Sequence, residues 1–134
     1  MARNNFFHVL SFFIFPAGIF FLSWSLDFLF DTYIIFPWID IPMHFLGGFS
    51  VGYMSILFLR FFKEERLIEI RKWFVFAILI VSTVSLIAVL WEFWEFLMDL
   101  FFQLSFQLSL RDTLFDLFMG IIGGFFSAVI FRKI

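Results

Sequence analysis

The sequence predicts an all-α fold: a four-helix transmembrane bundle with a kinked first helix and both termini on the cytoplasmic side. Three observations predict it. The 134 residues are 63% hydrophobic and 15% charged, with a mean hydropathy of +1.06, whereas soluble domains carry about 25% charged residues. Four segments are apolar over the length of about 20 residues that a helix needs to span the hydrocarbon core. Lysine and arginine fall almost entirely on one side of these segments.

The predicted spans cover residues 6–30, 41–60, 73–97 and 113–131 of a single transmembrane domain, 1–134. The first span contains Pro16 and Gly18, and we expect a kink there because proline cannot donate a helical hydrogen bond. The second span follows Pro37 and has Pro42 in its first turn, where the missing N–H is tolerated. A short charged connector, residues 60–72, joins the second span to the third.

The basic residues predict the orientation. Those on one side of the predicted membrane are Arg3, Arg60, Lys63, Arg66, Arg71, Lys72, Arg132 and Lys133, and only Arg111 falls on the other side. Because short cytoplasmic loops carry the excess of lysine and arginine, we expect both termini and the 60–72 connector in the cytoplasm. We therefore expect a multi-pass protein of the inner (cytoplasmic) membrane with lipid as its main partner. A net charge of −2 argues against nucleic acid as a partner.

Polar residues gather toward the predicted outer face. The acidic residues there are Asp27, Asp31, Asp40, Glu92, Glu95, Asp99, Asp112 and Asp116, and His44 lies among them. His44 precedes Arg60 by the same number of residues as Asp116 precedes Arg132, which places both roughly 24 Å from the inner boundary at about 1.5 Å per helical residue. The same rise per residue, counted from Arg60, Lys72 and Arg132, places the acidic residues Asp40, Glu92 and Asp112 roughly 30 Å from the inner boundary.

The spacing of these residues predicts that they meet. Asp40 and His44 are i,i+4, as are Asp112 and Asp116, so each pair lies on one face of its helix. Ionisable side chains within a membrane normally face the bundle interior or a wet cavity. Carboxylates and imidazole suit Mg²⁺, Mn²⁺, Zn²⁺ or Fe²⁺, and the sequence contains no cysteine. The candidate ligands of a divalent metal ion are therefore Asp40, His44, Glu92, Glu95, Asp112 and Asp116, and the candidate catalytic residues are Glu92, Glu95 and Arg111.

Structural interpretations of the same residues stay open. Asp40 precedes a helix and is a candidate cap. Ser109 and Asp112 have the spacing of a capping box. A hydrogen bond between His44 and Asp116 would by itself account for both side chains.

Small residues predict close helix packing. Gly48 with Gly52, and Gly120 with Gly124, form two small-xxx-small pairs, which allow helix backbones to approach closely in lipid. We expect the second and fourth spans to pair through these faces. We also expect a homo-oligomer, if one forms, to use the Gly48/Gly52 or the Gly120/Gly124 face.

Short motifs in the second to fourth spans resemble known membrane proteins. Asp40-Ile-Pro-Met-His44-Phe resembles the Asp-x-x-x-His-Phe start of a helix in VanZ-like proteins. Arg111-Asp-Thr-Leu-Phe-Asp116 followed by Gly120 and Gly123 resembles the Arg…Asp…Gly run in their last helix. Trp91-Glu92-x-x-Glu95 and Asp112-Thr-Leu-Phe-Asp116-Leu resemble the YjdF-type inner-membrane proteins. The resemblance implies a small polytopic protein of the cell envelope. The VanZ name implies teicoplanin resistance, which is not transferred to this chain.

Three functions are compatible with this sequence. A metal site in the outer leaflet would polarise a phosphoryl oxygen or activate water and act, as a hydrolase or transferase, on a lipid head group or lipid-linked envelope precursor. Alternatively, the acidic residues and His44 are parts of a proton- or ion-coupled translocator. In the third interpretation the protein is a non-catalytic envelope component whose polar cluster only fixes helix packing. The sequence leaves open whether the protein is an enzyme.

Overall fold

A computed structural model describes residues 2–132, with the side chains of residues 6–132, and this part of the chain is all-helical. The Arg3 side chain and Lys133, both counted above among the basic residues, lie outside it. The elements are α1 (Ala2–Ser11), α2 (Ile14–Phe30), α3 (Thr32–Ile35), a 3₁₀ turn (Pro37–Ile39), α4 (Asp40–Glu64), α5 (Trp73–Phe102) and α6 (Leu110–Ile130).

Four of the described segments are long and apolar enough to cross a membrane: Phe6–Phe30, Pro37–Glu64, Trp73–Phe102 and Leu110–Ile130. The predicted all-α fold class with four candidate spans is therefore confirmed. The helices differ from the predicted spans mainly at their polar ends. α5 continues to Phe102 and α6 already begins at Leu110, because helical hydrogen bonding continues past the point where hydropathy falls.

The first span bends between α1 and α2. The N–H groups of Phe12 and Phe13 donate to Val9 O at 3.1 Å and Leu10 O at 3.2 Å, which are i→i−3 bonds of a tightened turn. Pro16 cannot donate to Phe12 O, its i−4 partner, and the proline ring crowds that carbonyl. The predicted kink is thus confirmed. It lies at Phe12, whose carbonyl Pro16 leaves without its helical hydrogen bond.

The α4 and α6 helices run side by side in the same direction and make the most extensive contact between helices. A Cβ atom added to Gly48 would lie 1.9 Å from Gly120 O, and one added to Gly123 would lie 2.1 Å from Phe45 O. The backbones are therefore in direct contact, as the glycine pairs predict. Both glycine faces meet within one chain, so a homo-oligomer that used either face would have to separate α4 from α6.

The α5 helix runs antiparallel to α4 and α6 and closes the bundle. Val84 of α5 is buried against Gly124 of α6, since a Cβ atom added to Gly124 would lie 2.7 Å from Val84 Cγ2. Toward the far end, Phe76 and Ile80 join Ile56 of α4 and Ala128 of α6 in the apolar core. The opposite end of the bundle, where α5 ends and α4 and α6 begin, is called the acidic end below.

The α2 helix lies at the edge of the bundle. Phe12, just before it, contacts the Phe58 ring of α4 edge-on at 5.2 Å between ring centroids. Beyond α2, the chain turns back at α3: Asp27 Oδ1 accepts the N–H of Tyr33 at 3.1 Å, and Thr32 Oγ1 donates to Leu26 O at 2.7 Å. Asp27 therefore stabilises a turn.

Candidate metal centre

Three of the predicted site residues come together at the acidic end. His44 Nε2 lies 3.3 Å from Asp40 Oδ1 and 4.0 Å from Asp116 Oδ1. One ligand atom from each of the three residues lies within 4.8 Å of the others. Asp116 is buried, while Asp40 and His44 are partly buried. These residues are called the Asp40–His44–Asp116 group. The His44–Asp116 distance exceeds that of a hydrogen bond, so such a bond does not account for the two side chains here.

Helix packing explains why this group forms. Asp40 and His44 follow the 3₁₀ turn on the first two turns of α4, and their i,i+4 spacing places both on one face. Gly48 lies one turn beyond His44, and Gly120 one turn beyond Asp116. Because these two glycines bring α4 and α6 into backbone contact, the side chains one turn before them face each other across a narrow gap.

Asp40 does not act as a helix cap. The N-cap of α4 is Ile39, and no side chain caps that helix end. The carboxylate of Asp40 instead points to His44, at 3.3 Å. The capping interpretation therefore fails for Asp40.

Glu92 approaches His44 from α5, on the other side of the imidazole ring. Its side chain is 7% exposed, and Oε1 lies 3.9 Å from His44 Nδ1. Oε2 accepts a hydrogen bond from Gln107 Nε2 at 3.0 Å, and the same Nε2 donates to the Glu92 carbonyl at 2.9 Å. Oε1 is buried without a hydrogen-bond partner.

The structure does not bring the other predicted ligands into the group. Glu95 Oε1 accepts a hydrogen bond from Trp91 Nε1 at 2.8 Å. Asp112 Oδ2 faces the N–H of Leu108 at 3.4 Å, while Ser109 Oγ accepts from Asp112 N at 3.2 Å and caps α6. The capping interpretation therefore fits Ser109 and Asp112.

Arg111, one of the predicted catalytic residues, is exposed on the first turn of α6. Its guanidinium lies over the Phe115 ring, 5.8 Å from the centroid, and this contact holds the charge at the surface of the acidic end.

Residues 2–134 match the family described as "Predicted membrane protein (DUF2238)". The chain belongs to this family. No curated protein and no solved structure matches it. Membership agrees with the membrane-spanning helices, and the chemistry of this DUF2238 protein has to be argued from its own residues.

Sequence reasoning did not predict the roles of Asp99, near the end of α5, and Gln107, in the α5–α6 connection. Both carboxylate oxygens of Asp99 accept backbone N–H groups, from Phe106 at 2.8 Å and from Gln107 at 2.9 Å. The i, i+3, i+7 spacing of Glu92, Glu95 and Asp99 predicts a shared helix face, but nothing in the sequence marked Gln107. The DUF2238 chain thus folds its connection back over Glu92.

The charge at the acidic end is unbalanced. Three carboxylates, from Asp40, Glu92 and Asp116, lie within 4.0 Å of one imidazole. If all were ionised, His44 would offset only one negative charge. Carboxylates held together in a poorly solvated site are stable only when protons or a cation neutralise them. The carboxylates at the acidic end of this DUF2238 protein therefore need either bound protons or a bound cation to balance their charge.

Proposed function

We propose that this protein binds one divalent metal ion through Asp40 Oδ1, His44 Nε2 and Asp116 Oδ1. The observation that carries the proposal is that one ligand atom from each of these residues, on two helices, lies within 4.8 Å of the others. Donor atoms around a four-coordinate ion lie roughly 3.5 Å apart, so small side-chain movements would complete the site. Two carboxylates would neutralise the ion's charge, which matters in a site surrounded by lipid.

The unpartnered Glu92 Oε1 supports the proposal independently. A buried polar atom without a hydrogen bond is costly, and this one faces the imidazole of the group. An ion bound at Nε2 would make the ring a stronger donor at Nδ1 and so give this oxygen a partner. The mixture of carboxylate and imidazole favours Mn²⁺, Fe²⁺ or Zn²⁺ over Mg²⁺, which prefers oxygen ligands.

The proposed substrate class is a phosphate-bearing lipid head group or a lipid-linked envelope precursor. Three protein ligands leave a coordination position for water or for a phosphoryl oxygen. The group lies at the ends of membrane-length helices, where head groups meet the hydrocarbon. Exposed Arg111 at the same end is the proposed phosphate-orienting residue. The proposal also places the protein in the inner membrane with both termini in the cytoplasm. It further includes a relationship to VanZ-like or YjdF-type proteins.

Metal content tests the ion site. Detergent-purified wild type, His44→Ala and Asp116→Asn would be loaded with Mn²⁺ or Zn²⁺, desalted and measured by elemental analysis, with folding checked by circular dichroism. His8→Ala is the matched control, because His8 packs on Phe12 near the other end of the bundle. We expect one ion per chain in the wild type and the control and loss in both site variants. A folded wild type that retains no ion would overturn the proposal.

Phosphate chemistry needs a separate test. Wild type and His44→Ala, each treated with diamagnetic Zn²⁺ and desalted, would be incubated with phosphatidic acid and phosphatidylglycerol in mixed micelles and followed by ³¹P NMR. A metal-dependent change of the phosphate signal that His44→Ala abolishes would support action on head groups. Unchanged phosphate signals with a metal-loaded wild type would refute action on head groups without contradicting the ion site.

The structure gives the translocator less support. Directly beyond the Asp40–His44–Asp116 group, α4 and α6 are in backbone contact at Gly48 and Gly120. Buried Val84 and Ile80 follow in the core. A proton path through the bundle would have to open this packing, so we expect proteoliposomes of the wild type to leave an imposed proton gradient unchanged.

A further inference from the structure

We infer that Glu92 is a positioning residue that holds the imidazole of His44 with Nε2 facing the ion, rather than a ligand of the ion itself. The inference rests on the proposed ion site and assigns Glu92 a role different from those of metal ligand and catalytic residue that were predicted from the sequence. It depends on which ring nitrogen faces which carboxylate.

The two ring nitrogens of His44 face different carboxylates. Nε2 faces Asp40 at 3.3 Å and Asp116 at 4.0 Å, while Nδ1 faces Glu92 at 3.9 Å. A neutral imidazole carries a proton on one nitrogen and a lone pair on the other. If Nδ1 carries the proton, the lone pair of Nε2 points between the two aspartates, where an ion would have three ligands.

Hydrogen bonds from Gln107 fix the position of Glu92. Gln107 Nε2 binds both Oε2 and the backbone carbonyl of Glu92. Gln107 is in turn fixed by its own N–H, which donates to Asp99 Oδ2 at 2.9 Å. Oε1 makes no hydrogen bond of normal geometry and faces Nδ1 at 3.9 Å, while the Thr113 side chain lies near the same carboxylate. A chain of contacts therefore runs from the α5–α6 connection through Glu92 to His44.

This arrangement is the one that metal-binding histidines usually have. The nitrogen that does not bind the ion donates its hydrogen to a carboxylate or carbonyl, which fixes the ring orientation and the tautomer. The Nδ1–Oε1 distance of 3.9 Å is longer than a hydrogen bond, and a side-chain shift of about 1 Å would bring it to the usual range. For Glu92 to bind the ion directly, Oε1 would have to move around the ring to the Nε2 side.

The tautomer of His44 is directly measurable. The chain contains two histidines, so His8→Ala leaves His44 as the single one. ¹⁵N-histidine NMR of the Zn²⁺-loaded His8→Ala protein should show a metal-bound Nε2 and a protonated Nδ1. A metal-bound Nδ1 would overturn the inference and leave the ion site intact. Absence of Zn²⁺ binding in folded His8→Ala and wild-type protein would instead overturn the proposed function.

Removing the carboxylate separates positioning from ligation. In the His8→Ala background, Glu92→Ala should weaken Zn²⁺ binding by about 10- to 100-fold while X-ray absorption shows the same number of protein ligands. Gln107→Leu should weaken it by less, because Glu92 stays in place but loses its support. A lower ligand number in Glu92→Ala would show direct ligation and contradict the inference. If Glu92→Ala does not fold, the NMR spectrum of the His8→Ala protein alone tests the inference, by showing which nitrogen of His44 binds the ion.

Discussion

Gly48 and Gly47 are neighbours on α4 that should respond in opposite ways to the same substitution. A Cβ on Gly48 would lie 1.9 Å from Gly120 O and 2.7 Å from its Cα, whereas a Cβ on Gly47 would meet nothing within 4 Å. Since ordinary contact begins near 3.4 Å, Gly48→Ala must move α4 and α6 apart by about 1.5 Å. The obstructing atoms are backbone, so no side-chain rotation relieves them.

The expected magnitude follows from two effects. Alanine in a helix interior is more favourable than glycine by about 0.5–1 kcal/mol, and both substitutions gain this. Overpacking costs about 1–3 kcal/mol, and only Gly48→Ala incurs it. The difference between the two variants therefore isolates the overpacking cost of about 1–3 kcal/mol, equivalent to roughly 4–12 °C in melting temperature for a domain of this size.

Thermal unfolding in a single detergent, followed by tryptophan fluorescence, measures this difference. Gly47→Ala should match or exceed the wild type, and Gly48→Ala should melt clearly lower. Because His44 and Asp116 lie one turn from the contact, Gly48→Ala should also lose affinity for Mn²⁺ or Zn²⁺ while Gly47→Ala keeps it. Equal melting temperatures for the two variants would refute the α4–α6 packing described here.

Three further predictions concern the acidic end. Glu95→Gln should leave metal content unchanged by elemental analysis, because Glu95 is turned toward Trp91; loss of the ion would return Glu95 to the ligand set. Asp99→Ala removes the acceptor of two backbone N–H groups, so hydrogen exchange should accelerate in the connection between α5 and α6, and an unchanged exchange rate would contradict the hydrogen bonds. Ser109→Ala removes the α6 cap and should lower stability by about 1 kcal/mol, with exposed Ser105→Ala as the control in thermal unfolding.

The fold could be predicted largely from local properties of the sequence. Apolar stretches define the spans because each must cover the hydrocarbon core, and Pro16 defines the bend because it removes a specific hydrogen bond. The α4–α6 pairing could be predicted because Gly48 and Gly120 permit a backbone approach that larger residues forbid. His44 and Asp116 could be placed at one level because both helices run in the same direction toward basic residues, Arg60 and Arg132.

The roles of individual acidic residues could not be predicted in the same way. Periodicity predicts which side chains lie on the same face of a helix. It does not predict which nearby donor a carboxylate accepts a hydrogen bond from, because that depends on local geometry. Glu95 faces its neighbour Trp91, and Asp112 faces the N–H of Leu108. The contact between Gln107 and Glu92 depends on how the α5–α6 connection folds back, which no local pattern encodes.

Anomalous X-ray scattering from crystals of the Mn²⁺- or Zn²⁺-loaded protein tests the central claim most directly. The ion site predicts a single strong peak between Asp40 Oδ1, His44 Nε2 and Asp116 Oδ1, about 2.0–2.2 Å from each atom. Glu92 Oε1 should lie outside that distance and beside Nδ1. A peak bound elsewhere, or well-ordered side chains of the three residues with no peak between them, would contradict the account.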